Sequence, residues 1–295
     1  MPTRQGSLTA AARRRPVDHV IATPRGRREA VLRVISGARK RLILSVFRCD
    51  DFAILDALAD ALRRKVRVEV LFTPRAKGWQ RRLEDLWNVL EGMGATLHRY
   101  ADPVVKYHAK YLVADNGPAV VASLNLTQKC LTGTIDFVLV TRDRAVVSGL
   151  TALFDADHSK PGGPLPRGLG RRLIVGPEHA REQLTALIEG AKHTITLVDP
   201  KVTDPAMLAL LKAKKADGVA VRILGRGPIG GLDAHGKLLI VDNSTAVIGS
   251  VSLSALSLEF RREVAIRIDD PRAVRKLSAF VRTHGTRGGR RAASR

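Results

Sequence analysis

Aromatic residues are scarce in this chain: Phe, Trp and Tyr together make 4% of 295 residues. That leaves little material for stacking bases along a strand of nucleic acid. It also denies the molecule an aromatic belt at a membrane interface. Cysteine is scarcer still. Cys49 and Cys130 are the only two, which excludes a disulfide framework and any cysteine-rich zinc spacing. No run of 18 apolar residues occurs, so no segment reads as a membrane span. The first 16 residues, MPTRQGSLTAAARRRP, hold arginines but no apolar stretch. They read as a basic tail rather than a secretory signal, and the expected compartment is the cytoplasm. Acid is the other shortage, with 28 Asp and Glu against 50 Lys and Arg.

What is present is therefore strongly basic, at a formal charge of +22. Such a surface attracts polyanions, whether anionic lipid, nucleic acid or a phosphorylated substrate. Part of the excess sits at the ends, in Arg4, Arg13, Arg14 and Arg15 and in Arg282, Arg287, Arg290, Arg291 and Arg295. Apolar residues make up 45%, enough for an ordinary core. The length suggests two domains.

The chain repeats itself. KYHAKYLVADNG and DAHGKLLIVDNS both carry His-x-Lys-x4-Asp. His108 and His235 are 127 residues apart, as are Lys110 and Lys237, Asp115 and Asp242, Ser123 and Ser250, and Asp136 and Glu263. Earlier segments match at a longer offset: Gly37 with Gly190 and Val68 with Val221, each 153 apart. The first half thus carries an insertion, containing WQRRLEDLWNVLEGMGATLHRY, which reads as one helix and one strand. Short β-branched runs alternate with helical periods throughout, predicting helices over a mixed sheet in each half. The boundaries expected are a basic tail at 1–24, a lobe at 25–157, a Pro- and Gly-rich linker at 158–172, a second lobe at 173–283 and a basic tail at 284–295.

On a strand, residues i and i+2 face one side, roughly 6.6 Å apart. Strands at 108–114 and 235–241 would project each His with its Lys. Two such strands brought together by a pseudo-two-fold axis would surround one point with two imidazoles and two ammonium groups. That arrangement suits a phosphodiester. Lysines neutralise phosphate oxygens, one imidazole attacks phosphorus and the other protonates the leaving oxygen. No metal or other cofactor is called for, and no carboxylates cluster to hold a metal. Asp115 and Asp242 fall at odd spacing, on the other face, as turn residues. Ser123, Asn125, Ser250 and Ser252 are candidate phosphate donors. Asp136 and Glu263 are candidates to accept from Nδ1 of a histidine and so aim Nε2 at substrate. Trp79 and Trp87, eight apart on one helical face, read as core.

HAKYLVAD and HGKLLIVD, followed by SLNLT and GSVSLS, resemble the phospholipase D superfamily, across nearly all of residues 25–283. The resemblance implies an α/β fold of two phospholipase D-like lobes, each a mixed β-sheet flanked by helices and related by a pseudo-two-fold axis. It implies a phosphohistidine intermediate, with His108 as nucleophile and His235 as general acid. It departs from the family at Ala122, where Gly is usual, at Ser252, where Asn is usual, and at Asp136, where Glu is usual. The activity expected is a metal-independent phosphodiesterase or phosphatidyltransferase acting on phospholipids, held peripherally at an anionic membrane. The alternatives are a nuclease or DNA-processing phosphodiesterase and an inactive nucleic-acid-binding relative. No oligomer is required, because one chain holds both motifs.

Overall fold

A computed structural model describes residues 17–225 and 227–285. The arginines expected in the tails lie outside these residues, except Arg282.

The first lobe runs β1 (Asp18–Ile21), α1 (Arg27–Gly37), β2 (Arg41–Val46), α2 (Phe52–Arg63), β3 (Arg67–Phe72), α3 (Gln80–Gly92), β4 (Thr96–Arg99), β5 (Lys106–Tyr107), β6 (Tyr111–Ala114), β7 (Ala119–Ala122), α4 (Gln128–Thr132), β8 (Thr134–Ile135), β9 (Val138–Thr141) and α5 (Arg144–Ser159). The second runs β10 (Leu173–Gly176), α6 (Ala180–Glu189), β11 (Thr194–Val198), α7 (Pro205–Ala216), β12 (Ala220–Leu224), β13 (Asp233–Ala234), β14 (Lys237–Val241), β15 (Thr245–Gly249), α8 (Ala255–Phe260), β16 (Arg261–Ile268) and α9 (Pro271–Gly285).

Each lobe is built on a mixed sheet. The first has strand order β1-β9-β7-β6-β2-β3-β4 and the second β10-β16-β15-β14-β11-β12. Parallel pairs β2–β3, β3–β4 and β11–β12 come from strand-helix-strand crossovers. The remaining neighbours within each sheet are antiparallel. The expected insertion is α3 with β4, which adds an edge strand to the first sheet.

Local chemistry repeats as well. The Asp51 carboxylate caps α2 by accepting from Ile54 N, and Asp204 caps α7 by accepting from Met207 N. Such caps each contribute about 1 kcal/mol. Arg28 bridges to Asp51 at 2.6 Å, and Arg181 to Asp204 at 2.8 Å, tying the first helix of each lobe to the second. Asp115 and Asp242 are turn residues with φ of 50°. Asp115 accepts from the backbone N–H groups of Arg39, Lys40 and Arg41. Asp242 accepts from those of Lys192, His193 and Thr194. Burial works to raise both carboxyls, and the three N–H donors on each overcome it, so both sit below their usual value. These aspartates hold the entry to β2 and β11, away from the histidines.

The lobes share one core. Val121, Phe137, Leu139, Leu238, Ile248 and Val264 belong to a single apolar cluster with residues of α5 and α9. They also exchange strands. β8 pairs in parallel with β13, and β5 with β16. Each short strand of the exchange leads straight into, or faces, a motif histidine.

Three sequence expectations change here. The strands expected at 108–114 and 235–241 are both interrupted at the histidine. The chain pairs first with the opposite lobe, breaks, and then rejoins its own sheet. The basic tail expected at 1–24 includes a strand, since β1 pairs antiparallel with β9. The expected linker is packed between the lobes: Arg172 bonds Asp18 and Asp143 of the first lobe and, at 3.0 Å, the Arg267 carbonyl of the second.

Gly236, inside the second motif, lies at a close approach of the two lobes. Its N–H donates to the Ile135 carbonyl at 2.6 Å. A Cβ there would sit 2.8 Å from Ile135 O and 2.9 Å from Asp136 Cα, both backbone. Gly236→Ala should therefore cost about 1–3 kcal/mol of stability and lower activity by displacing Asp136 from His235. Chemical denaturation and turnover measured on the same sample check this; an unchanged midpoint would contradict the close approach.

Candidate active site

The exchange of strands brings both motifs to the lobe interface. Lys110 and Lys237 lie near enough to His108 and His235 to bias the protonation of both histidines. Each lysine folds back on its own histidine. Lys110 Nζ donates to the His108 carbonyl at 2.8 Å and Lys237 Nζ to the His235 carbonyl at 2.7 Å. Lys110 Nζ also stands 3.2 Å from both ring nitrogens of His108. Phe47 packs edge-on against the His108 ring, 4.5 Å between centroids.

The orienting carboxylates cross over. His235 Nδ1 is 3.0 and 3.1 Å from the oxygens of Asp136, in the other lobe. His108 Nδ1 is 2.6 Å from Glu263 Oε1, also in the other lobe. The second contact is close, but its N–H is not aligned on the oxygen, which has no other hydrogen-bond partner. Asp136 is held further by Ser123 Oγ at 2.6 Å and Thr134 Oγ1 at 2.5 Å. Glu263 takes one short bond, from the Ser257 hydroxyl.

The two carboxyls differ in charge. Burial works to raise Asp136, but the hydrogen bond and charge of His235, with Ser123 and Thr134, bring it below its usual value. Burial pushes Glu263 up to about 7, against the Ser257 bond and Lys110. Both histidines are lowered by burial. For His108 the nearby Lys110, Lys237 and Arg261 drive the value down further, well below 6.5. For His235 the Asp136 carboxylate opposes the fall. His108 is thus the imidazole driven toward its neutral form, and His235 is the one backed by a full negative charge. Lys110 is also depressed well below its usual value, first by burial, with Glu263 acting to raise it. A phosphate dianion arriving beside it would restore its charge.

Glu263 should register in stability. Its folded value exceeds its unfolded one, so ionising it costs stability as pH rises from about 4.5 to about 7. Glu263→Gln lacks that cost. The variant should gain on the wild type across this window, by more than about 1 kcal/mol, as read by denaturant unfolding near pH 5 and pH 8. A difference constant with pH would contradict the assignment.

Of the four expected phosphate donors, three are used internally. The Ser123 proton goes to Asp136, and its oxygen accepts from Phe137 N at 2.9 Å. Ser250 bonds both the N–H and the carbonyl of Val264. Ser252 donates to Asp199 at 3.0 Å. All three are buried and brace strands or turns. Asn125 alone faces open space, with a buried Oδ1 that has no partner. The expectation for Trp79 also changes. It stands at the start of α3, half-buried, with Arg48 and Arg82 over its ring at 5.3 and 5.1 Å. Trp87 packs on Phe72, as a core residue would.

Arg27 was not among the expected residues. Fully buried, it donates to four backbone carbonyls, including Thr134 at 2.7 Å and Asp136 at 2.6 Å. It clamps the segment that carries Asp136 and places a positive charge behind it. The matching position in the second lobe, 153 residues on, is Ala180. That mismatch in the repeat was the available signal.

Among the described residues, Cys130, Asp136 and His235 have ligand-type atoms within 4.8 Å of one another. Two of the three are already bonded together, and Arg27 donates to the Cys130 carbonyl beside them. The surroundings suit an anion better than a cation. A cavity of about 620 Å³ opens at His235, lined among others by Arg48, Trp79, Arg82, Asn125 and Lys129.

Residues 31–158 match the family described as "Cardiolipin synthase, PLD-like domain". That match covers most of the first lobe, and the second lobe repeats its plan. The first lobe thus matches a PLD-like domain, and the chain is similar to the phospholipase D superfamily. Its fold is also that of more distant proteins. The crystal structure of polyphosphate kinase from Porphyromonas gingivalis superposes with a TM-score of 0.74 at 20% identity, over 89% of this chain and 46% of that one. Phosphatidylserine synthase of Haemophilus influenzae superposes at 0.73 and 12% identity, over 91% and 86%. A polyphosphate kinase of Vibrio vulnificus is 26% identical over 197 residues, or 59% of this chain. The chain spans about a quarter (26%) of that curated relative's length. The α/β architecture is thus shared with proteins named for different activities. No helix among the described residues is long and apolar enough to cross a membrane.

Proposed function

We propose that the protein is a metal-independent phosphodiesterase or phosphatidyltransferase working through a phosphohistidine on His108, with a phospholipid as donor. The observation that carries this reading is the crossed pair of His–carboxylate contacts, alike in plan but unequal in charge, with Asp136 held ionised and Glu263 pushed up to about 7. His108 Nε2 forms the bond to phosphorus while the P–O bond to the leaving group breaks. His235, protonated with the help of Asp136 and the approaching phosphate anion, gives its proton to the leaving oxygen. Water or an alcohol then attacks phosphorus, His235 takes its proton, and the N–P bond breaks. Lys110 and Lys237 neutralise the equatorial oxygens as charge develops, and Asn125 is the amide placed to assist.

The basic surface supports peripheral attachment to anionic lipid, at about 1 kcal/mol for each Lys or Arg near the surface. A second reading, phosphoryl transfer along a phosphoanhydride, is favoured by the kinase similarity. Liposomes of labelled phosphatidylglycerol, inorganic polyphosphate and single-stranded DNA, each assayed with EDTA present, discriminate among the substrates. Turnover of the lipid should be unchanged by EDTA. Loss of activity restored by Mg²⁺ or Zn²⁺ would remove the lysines from the electrophilic role, and cleavage of DNA alone would replace lipid with nucleic acid.

A further inference from the structure

The two motifs are matched, but their surroundings are not. The cavity of about 620 Å³ is lined by His235 and not by His108. In an in-line displacement the leaving group lies opposite the nucleophile. With His108 attacking and His235 protonating, whatever the leaving oxygen carries must extend past His235 into this cavity.

The cavity wall is cationic, and its cations are not alike. Lys129 is paired with Asp233 at 2.9 Å, and Arg82 has Asp50 at 3.7 Å. Arg48 has no acidic partner among the described residues. Its Nη2 donates to the Lys77 carbonyl at 2.8 Å, and its Nε is buried without any partner. Stacking holds the guanidinium in place, 5.2 Å from the Phe47 ring centre and 5.3 Å from that of Trp79. Phe47 in turn packs on His108, so Arg48 is indexed to the reacting centre. Asn125 lines the same space, where its amide N–H₂ is the group that could donate to an anion. A half-buried guanidinium without a counter-charge is costly unless a ligand supplies one. The matching residue of the other lobe, Lys201, is exposed.

We infer that this cavity is a leaving-group subsite for a second phosphate, with Arg48 as its anion contact. The substrate then carries a phosphoanhydride, with the scissile phosphoryl on the lysines and the next phosphate on Arg48. This rests on the roles assigned to His108 and His235 above. Two sources share that chemistry, a lipid bearing a pyrophosphate and a chain of inorganic phosphates.

Methylenediphosphonate cannot be hydrolysed and spans both positions, whereas methylphosphonate fills only one. Calorimetric titration of the full chain should show the bisphosphonate binding at least about tenfold tighter. Arg48→Ala should erase that ratio while methylphosphonate still binds, and Arg48→Lys should keep part of it. Thermal unfolding of both variants separates loss of fold from loss of the contact. Equal affinities in the wild type, or a ratio untouched by Arg48→Ala, would overturn the subsite. Cleavage of tripolyphosphate or of diacylglycerol pyrophosphate in detergent micelles supports it and identifies the source; cleavage of neither counts against it. His108-dependent turnover of bis-(p-nitrophenyl) phosphate is the separate control. If that persists while the ratio is absent, only the subsite falls. If the ratio holds while that turnover is missing, the phosphodiesterase function falls instead.

Discussion

His108→Ala should abolish turnover, by at least about 10⁴-fold on any substrate, because His108 is assigned to carry the phosphoryl group between the two half-reactions. The position is specific. The imidazole is kept neutral by burial and by Lys110, Lys237 and Arg261, and its Nδ1 is held at 2.6 Å from Glu263, leaving Nε2 for phosphorus. His235→Ala should be nearly as damaging in the steady state but different in kind. A substrate with a good leaving group, such as p-nitrophenol, needs little protonation, so the first half-reaction should proceed and the second should stall without its base. A burst of about one p-nitrophenol per enzyme is expected from His235→Ala and none from His108→Ala. Equal slow turnover without a burst in both variants would contradict the division of roles.

Asp136→Asn should cost about 10²–10⁴-fold in kcat, and Glu263→Gln distinctly less. Asp136 is an ionised carboxylate whose hydrogen bond raises the proton affinity of His235 against burial. Without it the imidazolium loses its support, and the alkaline limb of the pH–rate profile should move to lower pH. Glu263, pushed up to about 7, carries a full charge only above that pH, so the amide replaces less. A profile for Asp136→Asn that falls without moving would make Asp136 a packing residue. Equal losses in the two variants would remove the electrical asymmetry between the lobes. Arg27 belongs to the same test. Its bonds to the Thr134 and Asp136 carbonyls should make Arg27→Lys reproduce part of the Asp136→Asn shift.

The sequence made the two motifs and their lobes legible because duplication is independent of any local ambiguity. Five polar matches at one offset survive an error of several residues in any strand. It could not show which carboxylate serves which histidine. Asp136 and Glu263 each lie 28 residues after a histidine, and that spacing is the same whether the contact stays within a lobe or crosses. The crossing depends on β5 and β13 leaving their own sheets, through breaks at His108 and His235 that a period-two pattern does not reveal. Ser123, Ser250 and Ser252 looked like phosphate donors because small hydroxyls beside a motif suit either role. Only their burial and bonding to Asp136, Val264 and Asp199 settle where their protons go. Trp79 sits in register with the apolar face of α3, yet it lies at the helix start, where the cavity opens.

The central claim is a covalent phosphohistidine on His108, and trapping it is the most direct test. Wild type and His235→Ala, mixed with a labelled diester and quenched within milliseconds in conditions that preserve acid-labile N–P bonds, can be digested and mapped by mass spectrometry. The predicted result is label on the peptide containing His108, in higher yield from His235→Ala and absent from His108→Ala. Label on His235 would reverse the roles of the two lobes. No label on either histidine, with inversion of configuration at phosphorus, would mean direct attack by water and would contradict the mechanism.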